Sequence, residues 1–133
     1  MKDPALRAPG LWRAVGAGLV LFVVYQSLNH QPLEVPVSGG DRIGHLSAYA
    51  TLMWWHCQLH GGTSGRRLLA IGFVLMGVAL EIAQSFTGYR TMDMADAAAN
   101  AAGVMAGWLA APPRLPSLAL RLDQFLGRLA KPD

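Results

Sequence analysis

The sequence predicts an all-α integral membrane protein with four transmembrane helices. Only 14% of its 133 residues are charged and 53% are hydrophobic, whereas about 25% of residues are charged in an ordinary soluble domain. The charged residues are also far apart, with gaps of 20 residues between Arg13 and Glu34 and 23 between Arg42 and Arg66. A bilayer core of about 30 Å needs about 20 apolar residues in a helix. Because backbone amides in lipid need partners within their own segment, each gap is expected to be helical.

The same composition argues against several other classes of protein. A soluble enzyme domain or a disordered tail needs more charge than this chain carries, and the one cysteine, Cys57, cannot form an intramolecular disulfide. A net charge of +3 would favour nucleic-acid binding only if the basic residues formed one face. They lie instead at the ends of the apolar segments, so we expect no nucleic-acid partner.

Four spans follow from the gaps, at residues 12–28, 43–59, 68–86 and 94–111. The first is not expected to be a cleaved signal, because the segment YQSLNHQPLE after it has no small-x-small cleavage site. Residues 60–67 are predicted to form a tight hairpin connection between the second and third helices. The chain therefore divides into a transmembrane domain, residues 1–111, and a cytoplasmic tail, residues 112–133.

Basic residues orient the predicted bundle with both termini inside the cell. The outer segments hold only Arg42 and Arg90, against nine basic residues in the inner segments, an asymmetry typical of multi-pass membrane proteins. The four tryptophans fall toward the inner ends of the helices and the three tyrosines toward the outer ends, as expected of residues at membrane–water interfaces. The nine inner residues are Lys2, Arg7, Arg13, Arg66, Arg67, Arg114, Arg121, Arg128 and Lys131.

The tail is predicted to be an amphipathic helix lying in the cytoplasmic interface. Prolines at 112, 113 and 116 end the fourth span. In the residues that follow, apolar and polar side chains recur with the period of an α-helix. This pattern favours a helix whose apolar face lies in the lipid and whose basic face contacts anionic headgroups. Packing of this helix on a partner protein remains an alternative. The apolar face comprises Leu118, Leu122, Phe125, Leu126 and Leu129, and the polar face comprises Arg121, Gln124, Arg128 and Lys131.

Polar residues lie in pairs on single helical faces at the outer ends of three predicted helices. Spacings of three or four residues place the two members of each pair on one face. Burying such groups is costly unless they are paired or face water, so we expect them to converge on a pocket that opens outward, with Arg90 balancing one of the acids. The pairs are Asp41 with His45, Glu81 with Gln84, and Asp96 with Asn100. Farther along the last of these faces, Gly103 and Gly107 are expected to allow close helix packing.

At these residues the chain resembles the VanZ-like family of membrane proteins. The resemblance rests on DRIGH (residues 41–45), EIAQSFTGYR (81–90) and DAAANAAGVMAG (96–107), about half the chain taken as a set. Arg42 stands where lysine is common in the family, and Leu46 where an aromatic residue is common. The resemblance implies a small multi-pass protein of the bacterial cytoplasmic membrane. The named member of the family is linked to low-level resistance to the lipoglycopeptide teicoplanin, and no settled biochemical activity is implied.

The favoured function is binding or modulation of an amphiphilic ligand of the outer leaflet. A lipid-linked cell-wall precursor or a lipoglycopeptide would place its headgroup on the carboxylates and Arg90, and its tail between helices among membrane lipids. The candidate ligand-binding residues are Asp41, Arg42, His45, Glu81, Gln84, Arg90, Asp96 and Asn100.

Two other functional interpretations remain open. His45 near Glu81 or Asp96 could form an acid–base pair or a water-completed metal site that acts on a lipid headgroup. The sequence lacks G-x-S-x-G and H-E-x-x-H motifs, however, so no catalytic residue, metal site or cofactor is assigned. Alternatively, the polar residues are purely structural links between helices. A transporter would need a dimer, which leaves a homo-oligomer open.

Overall fold

The computed structural model describes residues 5–130 and folds them into five α-helices with no strand among those residues. The all-helical class predicted from the sequence is thereby confirmed for this part of the chain. Lys2 and Lys131, which contribute to the predicted inner charge, lie outside the described residues. The helices are α1 Pro9–Leu28, α2 Gly40–Leu59, α3 Thr63–Ser85, α4 Met94–Ala110 and α5 Leu118–Leu129.

The central helix of the bundle is α2, which contacts each of the other four helices and packs most extensively on α4. Gly103 and Gly107 of α4 make this approach possible. A Cβ on Gly103 would overlap the carbonyl oxygen of Leu46, and a Cβ on Gly107 would overlap that of Ala50. The backbones of α2 and α4 are therefore in direct contact, which fixes the register between the helices that carry His45 and Asn100.

Two of the described helices, α1 and α3, are long and apolar enough to cross a bilayer. Neither is a buried core helix, since only 17% and 22% of their apolar windows are buried. The first two turns of α2 contain Asp41, Arg42 and His45, which makes that helix more polar. The 17 residues of α4 extend over about 26 Å at 1.5 Å per residue. Four complete spans remain a prediction.

The outward sides of α1 and α3 present large apolar side chains. Leu21 is 69% exposed, and Leu68 and Leu75 are 72% and 63% exposed. A monomeric soluble protein seldom exposes contiguous apolar patches of this kind, whereas lipid tails cover them without cost. Further exposed apolar residues on these two helices are Leu11, Val15, Phe22, Leu28, Ile71, Val78 and Ile82.

The inner connection between α2 and α3 is shorter than predicted, because α3 already begins at Thr63. Arg66 is consequently helical, and its guanidinium is buried against the ends of other helices. It donates hydrogen bonds to the carbonyl oxygens of His60 (2.8 Å), Cys57 (2.8 Å) and Pro112 (2.5 Å). Arg66, one of the basic residues on which the predicted topology rests, thus also links the C-terminal end of α2 to the segment after α4.

Two of the tryptophans expected at the inner membrane interface are buried inside the protein. Trp12 and Trp55 are 6% and 7% exposed, and their rings pack with centroids 6.1 Å apart. The indole nitrogen of Trp55 donates to the carbonyl oxygen of Trp12 over 3.2 Å. Packing of α5 against this end of the bundle covers the indoles, which periodicity along one helix could not predict.

Asp123 attaches α5 to the start of α1. Its carboxylate accepts hydrogen bonds from the backbone nitrogens of Arg7 (2.7 Å) and Ala8 (3.1 Å) and from the indole nitrogen of Trp12 (2.8 Å). On the neighbouring α2, the side-chain oxygen of Gln58 accepts from the backbone nitrogen of Ala119 over 2.9 Å. One side of α5 therefore rests on the bundle, while its apolar face, including Phe125 at 57% exposure, stays uncovered.

We expect Asp123→Asn to loosen α5. The three donors around Asp123, chiefly the Arg7 amide and then the Trp12 indole, hold the pKa of the carboxyl below its ordinary value. Because the folded pKa is depressed, this docking is fully present above the ordinary aspartate pKa and is lost as pH falls through the lowered value. The variant should show several-fold faster proteolysis between α4 and α5 and red-shifted tryptophan emission at neutral pH. Gln124→Ala, at the exposed neighbour, should change neither, and equal behaviour of the two variants would contradict the role of Asp123.

Candidate functional site

Four polar side chains from three helices meet at one end of the bundle. His45 lies in the second turn of α2, Glu81 near the end of α3, and Asp96 and Asn100 in the first two turns of α4. We refer to these four residues as the polar cluster. Because α2 and α4 begin at the end of the bundle where α3 stops, the i, i+3 and i, i+4 spacings bring these residues to a common level.

His45 is at the centre of the polar cluster. Its Nδ1 lies 2.9 Å from the side-chain oxygen of Asn100 and 3.9 Å from Oε1 of Glu81. An amide oxygen only accepts hydrogen bonds, so Nδ1 carries the proton and donates to Asn100. In the neutral ring Nε2 then keeps its lone pair, and it lies 3.7 Å from Oδ2 of Asp96. The histidine therefore presents a free nitrogen to a carboxylate at more than hydrogen-bond distance.

Glu81 is the most deeply buried acid of the cluster, at 2% exposure. Its Oε2 accepts a 3.3 Å hydrogen bond from the backbone nitrogen of Asp93. Asp93 in turn caps α4, since its own side chain accepts from the backbone nitrogen of Ala95 over 2.8 Å. The start of α4 and the end of α3 are thus tied together through the buried carboxylate.

Two shielded oxygen atoms at the cluster have no hydrogen-bond partner among the described residues, Oδ1 of Asp96 and the hydroxyl of Tyr49. Tyr49 is 1% exposed and lies one turn after His45 on the same face of α2. From the sequence, Tyr49 is assigned to the outer membrane interface and is not included among the candidate site residues. Its i, i+4 spacing from His45 is the signal that could have placed it on the same face of α2.

Arg90 and Gln84 are near the polar cluster, but their side chains donate hydrogen bonds to the end of α1 and not to the cluster. Arg90 forms no ion pair with Glu81 or Asp96 in the described part of the chain, contrary to the expectation that it balances one of them. Arg90 and Gln84 instead donate to the carbonyl oxygen of Ser27, over 3.3 Å and 2.7 Å. The last carbonyls of a helix lack intrahelical partners and carry partial negative charge, so the end of α1 attracts these donors. The charge of Arg90 acts on Glu81 only at longer range.

Asp41 and Arg42, the remaining candidates, lie outside the polar cluster. Arg42 is 3.9 Å from Asp93, in an ion pair whose side chains are 62% and 47% exposed. Pairs so open to solvent contribute little to stability. Asp41 lies at the mouth of a cavity beside the cluster.

This cavity has a volume of about 370 Å³ and lies between α1, the outer loop at residues 29–39 and the first half of α2. Its apolar lining includes Leu19, Phe22 and Val23 of α1, Leu52 of α2, and Pro32, Leu33 and Val35 of the outer loop. Polar side chains also line it, among them His45, which belongs to the polar cluster as well. The other polar residues of the lining are Gln26, Ser27, Glu34, Asp41, Ser47, Tyr49, Thr51 and Arg90.

The outer loop borders the cavity because it folds back onto the start of α2. Gly40 permits this approach, since a Cβ there would overlap the carbonyl oxygen of Val35. Prolines and glycines in the sequence mark the segment as a loop, but they carry no periodicity from which its path could be predicted.

Comparisons with protein-family models, with curated proteins and with solved structures find no match for this chain. The resemblance to VanZ-like proteins therefore remains a prediction based on motifs. The functional argument rests on the cavity and the polar cluster.

Proposed function

We propose that the chain is a four-span protein of the bacterial cytoplasmic membrane that binds an amphiphile of the outer leaflet. The observation that carries the proposal is the cavity between α1 and α2, whose lining combines a large apolar surface with several polar and charged side chains. Its volume of about 370 Å³ falls within the range of about 300–1,000 Å³ that is usual for small-molecule sites. The hydrophobic tail of an amphiphile could pack on the apolar side chains of the cavity, and its polar headgroup could bind near His45.

Several features support a membrane location with four spans. The apolar outer sides of α1 and α3 suit contact with lipid. Because α2 and α4 direct their polar groups toward each other and α3, they need less overall hydrophobicity to lie in the same bilayer. With the basic residues inside, α5 lies at the cytoplasmic interface, its exposed apolar face toward the lipid and Arg121 and Arg128 toward the headgroups.

The lining chemistry favours a headgroup that carries both hydrogen-bonding and anionic groups. Arg90 supplies a cation at the cavity, while Asp41 and Glu34 accept from hydroxyls or amines. A lipid-linked cell-wall precursor and a lipoglycopeptide such as teicoplanin share this combination of a polar sugar- or peptide-bearing head with a lipid tail. Membership of the VanZ-like family, with a role in glycopeptide resistance, belongs to the same proposal.

Gly44→Leu is expected to abolish most amphiphile binding without harming the fold. Gly44 lines the cavity, and a Cβ there meets nothing within 4 Å, so a leucine side chain would enter the empty space. Replacing glycine inside a helix also favours helix formation by about 0.5–1 kcal/mol. Titration of purified protein with fluorescent lipid-linked precursor, and separately with teicoplanin, should show affinity reduced at least tenfold for whichever is the ligand.

The matched control is Gly18→Leu, at a glycine of α1 that also has open space around its Cβ and does not line the cavity. It should bind as the wild type does. Amphiphile binding that survives in the Gly44 variant would contradict the location of the site, and failure of the wild type to bind either ligand would contradict the proposed function.

The cluster beside the cavity favours a headgroup-modifying enzyme as the second candidate function. His45 lies within 4 Å of both Glu81 and Asp96 and also lines the cavity, so an acid–base residue would meet a bound headgroup there. Incubation of the purified protein with labelled lipid-linked precursor distinguishes the two candidate functions. Conversion to a new product that requires His45 would favour the enzyme, and recovery of unchanged precursor would favour the binding protein.

A further inference from the structure

We infer that His45, Glu81 and Asp96 bind one divalent metal ion, with zinc or manganese as the preferred class. These residues offer one imidazole nitrogen and two carboxylate oxygens, and the three ligand atoms all lie within 4.8 Å of one another. They come from three different helices, so an ion at their centre would join α2, α3 and α4. The inference concerns the polar cluster and does not require an amphiphile in the cavity.

The geometry of His45 points to a cation. With its proton on Nδ1 and directed at Asn100, the ring aims the Nε2 lone pair toward Asp96 Oδ2 at 3.7 Å. Two acceptors facing each other at this distance repel unless a positive charge lies between them. Two ligands of one ion at about 2.0–2.2 Å are separated by roughly 3–4 Å, which matches this spacing. The bond to Asn100 is the outer-shell contact that orients a metal-ligating histidine.

The unpartnered oxygens supply a second, independent observation. Tyr49, one turn after His45 on α2, is 1% exposed, and its hydroxyl has no hydrogen-bond partner among the described residues. Asp96 Oδ1 is likewise shielded and without a partner. Buried polar atoms are nearly always satisfied in folded proteins, so two such atoms at one cluster favour the binding of a ligand there. A metal ion on Asp96 and a water on that ion, in reach of Tyr49, would satisfy both.

The two arginines nearest the cluster make their direct contacts outside it. Arg42 pairs with Asp93, and Arg90 binds the Ser27 carbonyl. Acidic side chains buried in a membrane are costly unless they have a partner or face water. His45 and Asp96 retain 14% and 17% side-chain exposure, so the cluster is not fully sealed from its surroundings.

The donor set determines the class of metal. Calcium and magnesium prefer shells made only of oxygen, whereas imidazole nitrogen combined with carboxylates suits zinc and also manganese. Three protein ligands leave at least one position for water or for an anionic ligand group.

The test is metal titration of purified full-length protein in detergent after chelation and buffer exchange. Zinc chloride alone, and manganese chloride alone, should be titrated by calorimetry and by thermal unfolding. We expect one ion per chain and a raised melting temperature, with weaker effects from calcium and magnesium. Asp96→Asn and His45→Gln should weaken binding at least tenfold and abolish the rise in melting temperature.

A matched control separates this site from adventitious surface binding. His30→Gln removes an exposed histidine outside the polar cluster, so this variant should bind metal as the wild type does. X-ray absorption of the zinc-loaded wild type should show imidazole scattering in a shell of nitrogen and oxygen. Absence of stoichiometric binding, or equal binding by the Asp96 and His30 variants, would overturn the inference. The amphiphile test with Gly44→Leu is unaffected by that outcome.

Discussion

Arg66→Ala is expected to be among the most destabilising single substitutions in this chain. The buried guanidinium donates to three carbonyl oxygens, of Cys57, His60 and Pro112, at the inner end of the bundle. Hydrogen bonds to charged groups contribute about 1.5–3 kcal/mol each, and the carbonyls would be left without their donor. We expect the free energy of unfolding in detergent to fall by about 3 kcal/mol, measured by chemical denaturation followed by circular dichroism.

Arg67→Ala is the control for this prediction, because Arg67 is the adjacent, exposed arginine. Both variants remove one positive charge from the predicted inner side, so any effect on membrane orientation is shared. Only the Arg66 variant removes the links between α2, α3 and the segment after α4. Arg66→Lys, which keeps the charge but has fewer donors, should lie between the wild type and Arg66→Ala. Equal stability of Arg66→Ala and Arg67→Ala would show that these hydrogen bonds contribute nothing.

Gly103→Leu is expected to separate α4 from α2. A Cβ at this position would overlap the carbonyl oxygen of Leu46 and lie 3.1 Å from the backbone nitrogen of Ala50. These are backbone atoms, so the overlap is relieved only by moving one helix away from the other. Overpacking of a close-packed interface costs about 1–3 kcal/mol, and the shift would also part His45 from Asn100. We expect a lowered melting temperature together with loss of metal binding.

Gly72→Leu provides the matched control, since a Cβ at Gly72 of α3 meets nothing within 4 Å. Both variants add the same side chain to a helical glycine and gain the same helix propensity. The Gly72 variant should therefore be as stable as the wild type or slightly more so. A Gly103 variant as stable as the Gly72 variant would mean that α2 and α4 do not pack backbone to backbone.

The polar cluster illustrates how far local spacing can predict a site. The i, i+3 and i, i+4 pairs each define a helical face, and the connectivity places the outer ends of three helices together. From this alone, His45, Glu81, Asp96 and Asn100 could be expected to meet, as they do here. The partner of Arg90 could not be predicted, because the end of α1 competes for its donors through backbone carbonyls that have no side-chain signature.

The tryptophans and Asp123 show a second limit of local spacing. Trp12 has the position and amphipathic character of an interfacial residue, yet α5 covers it and Asp123 receives its hydrogen bond. Asp123 itself is 4% exposed and lies beside the apolar face of an amphipathic helix. Its contact with Arg7 joins residues more than a hundred positions apart, which periodicity within one helix does not report.

The low content of charged residues and the long gaps between them determined the all-helical class and pointed to a membrane, because lipid imposes local rules on every segment: apolar side chains outside and backbone hydrogen bonds within. Only the tertiary structure decided which polar groups pair, which stay without partners among the described residues, and where the cavity beside α1 and α2 lies. Those outcomes depend on distances between helices and on the path of the outer loop. Such distances follow from packing over the whole chain, including the contact between two backbones that Gly103 and Gly107 allow.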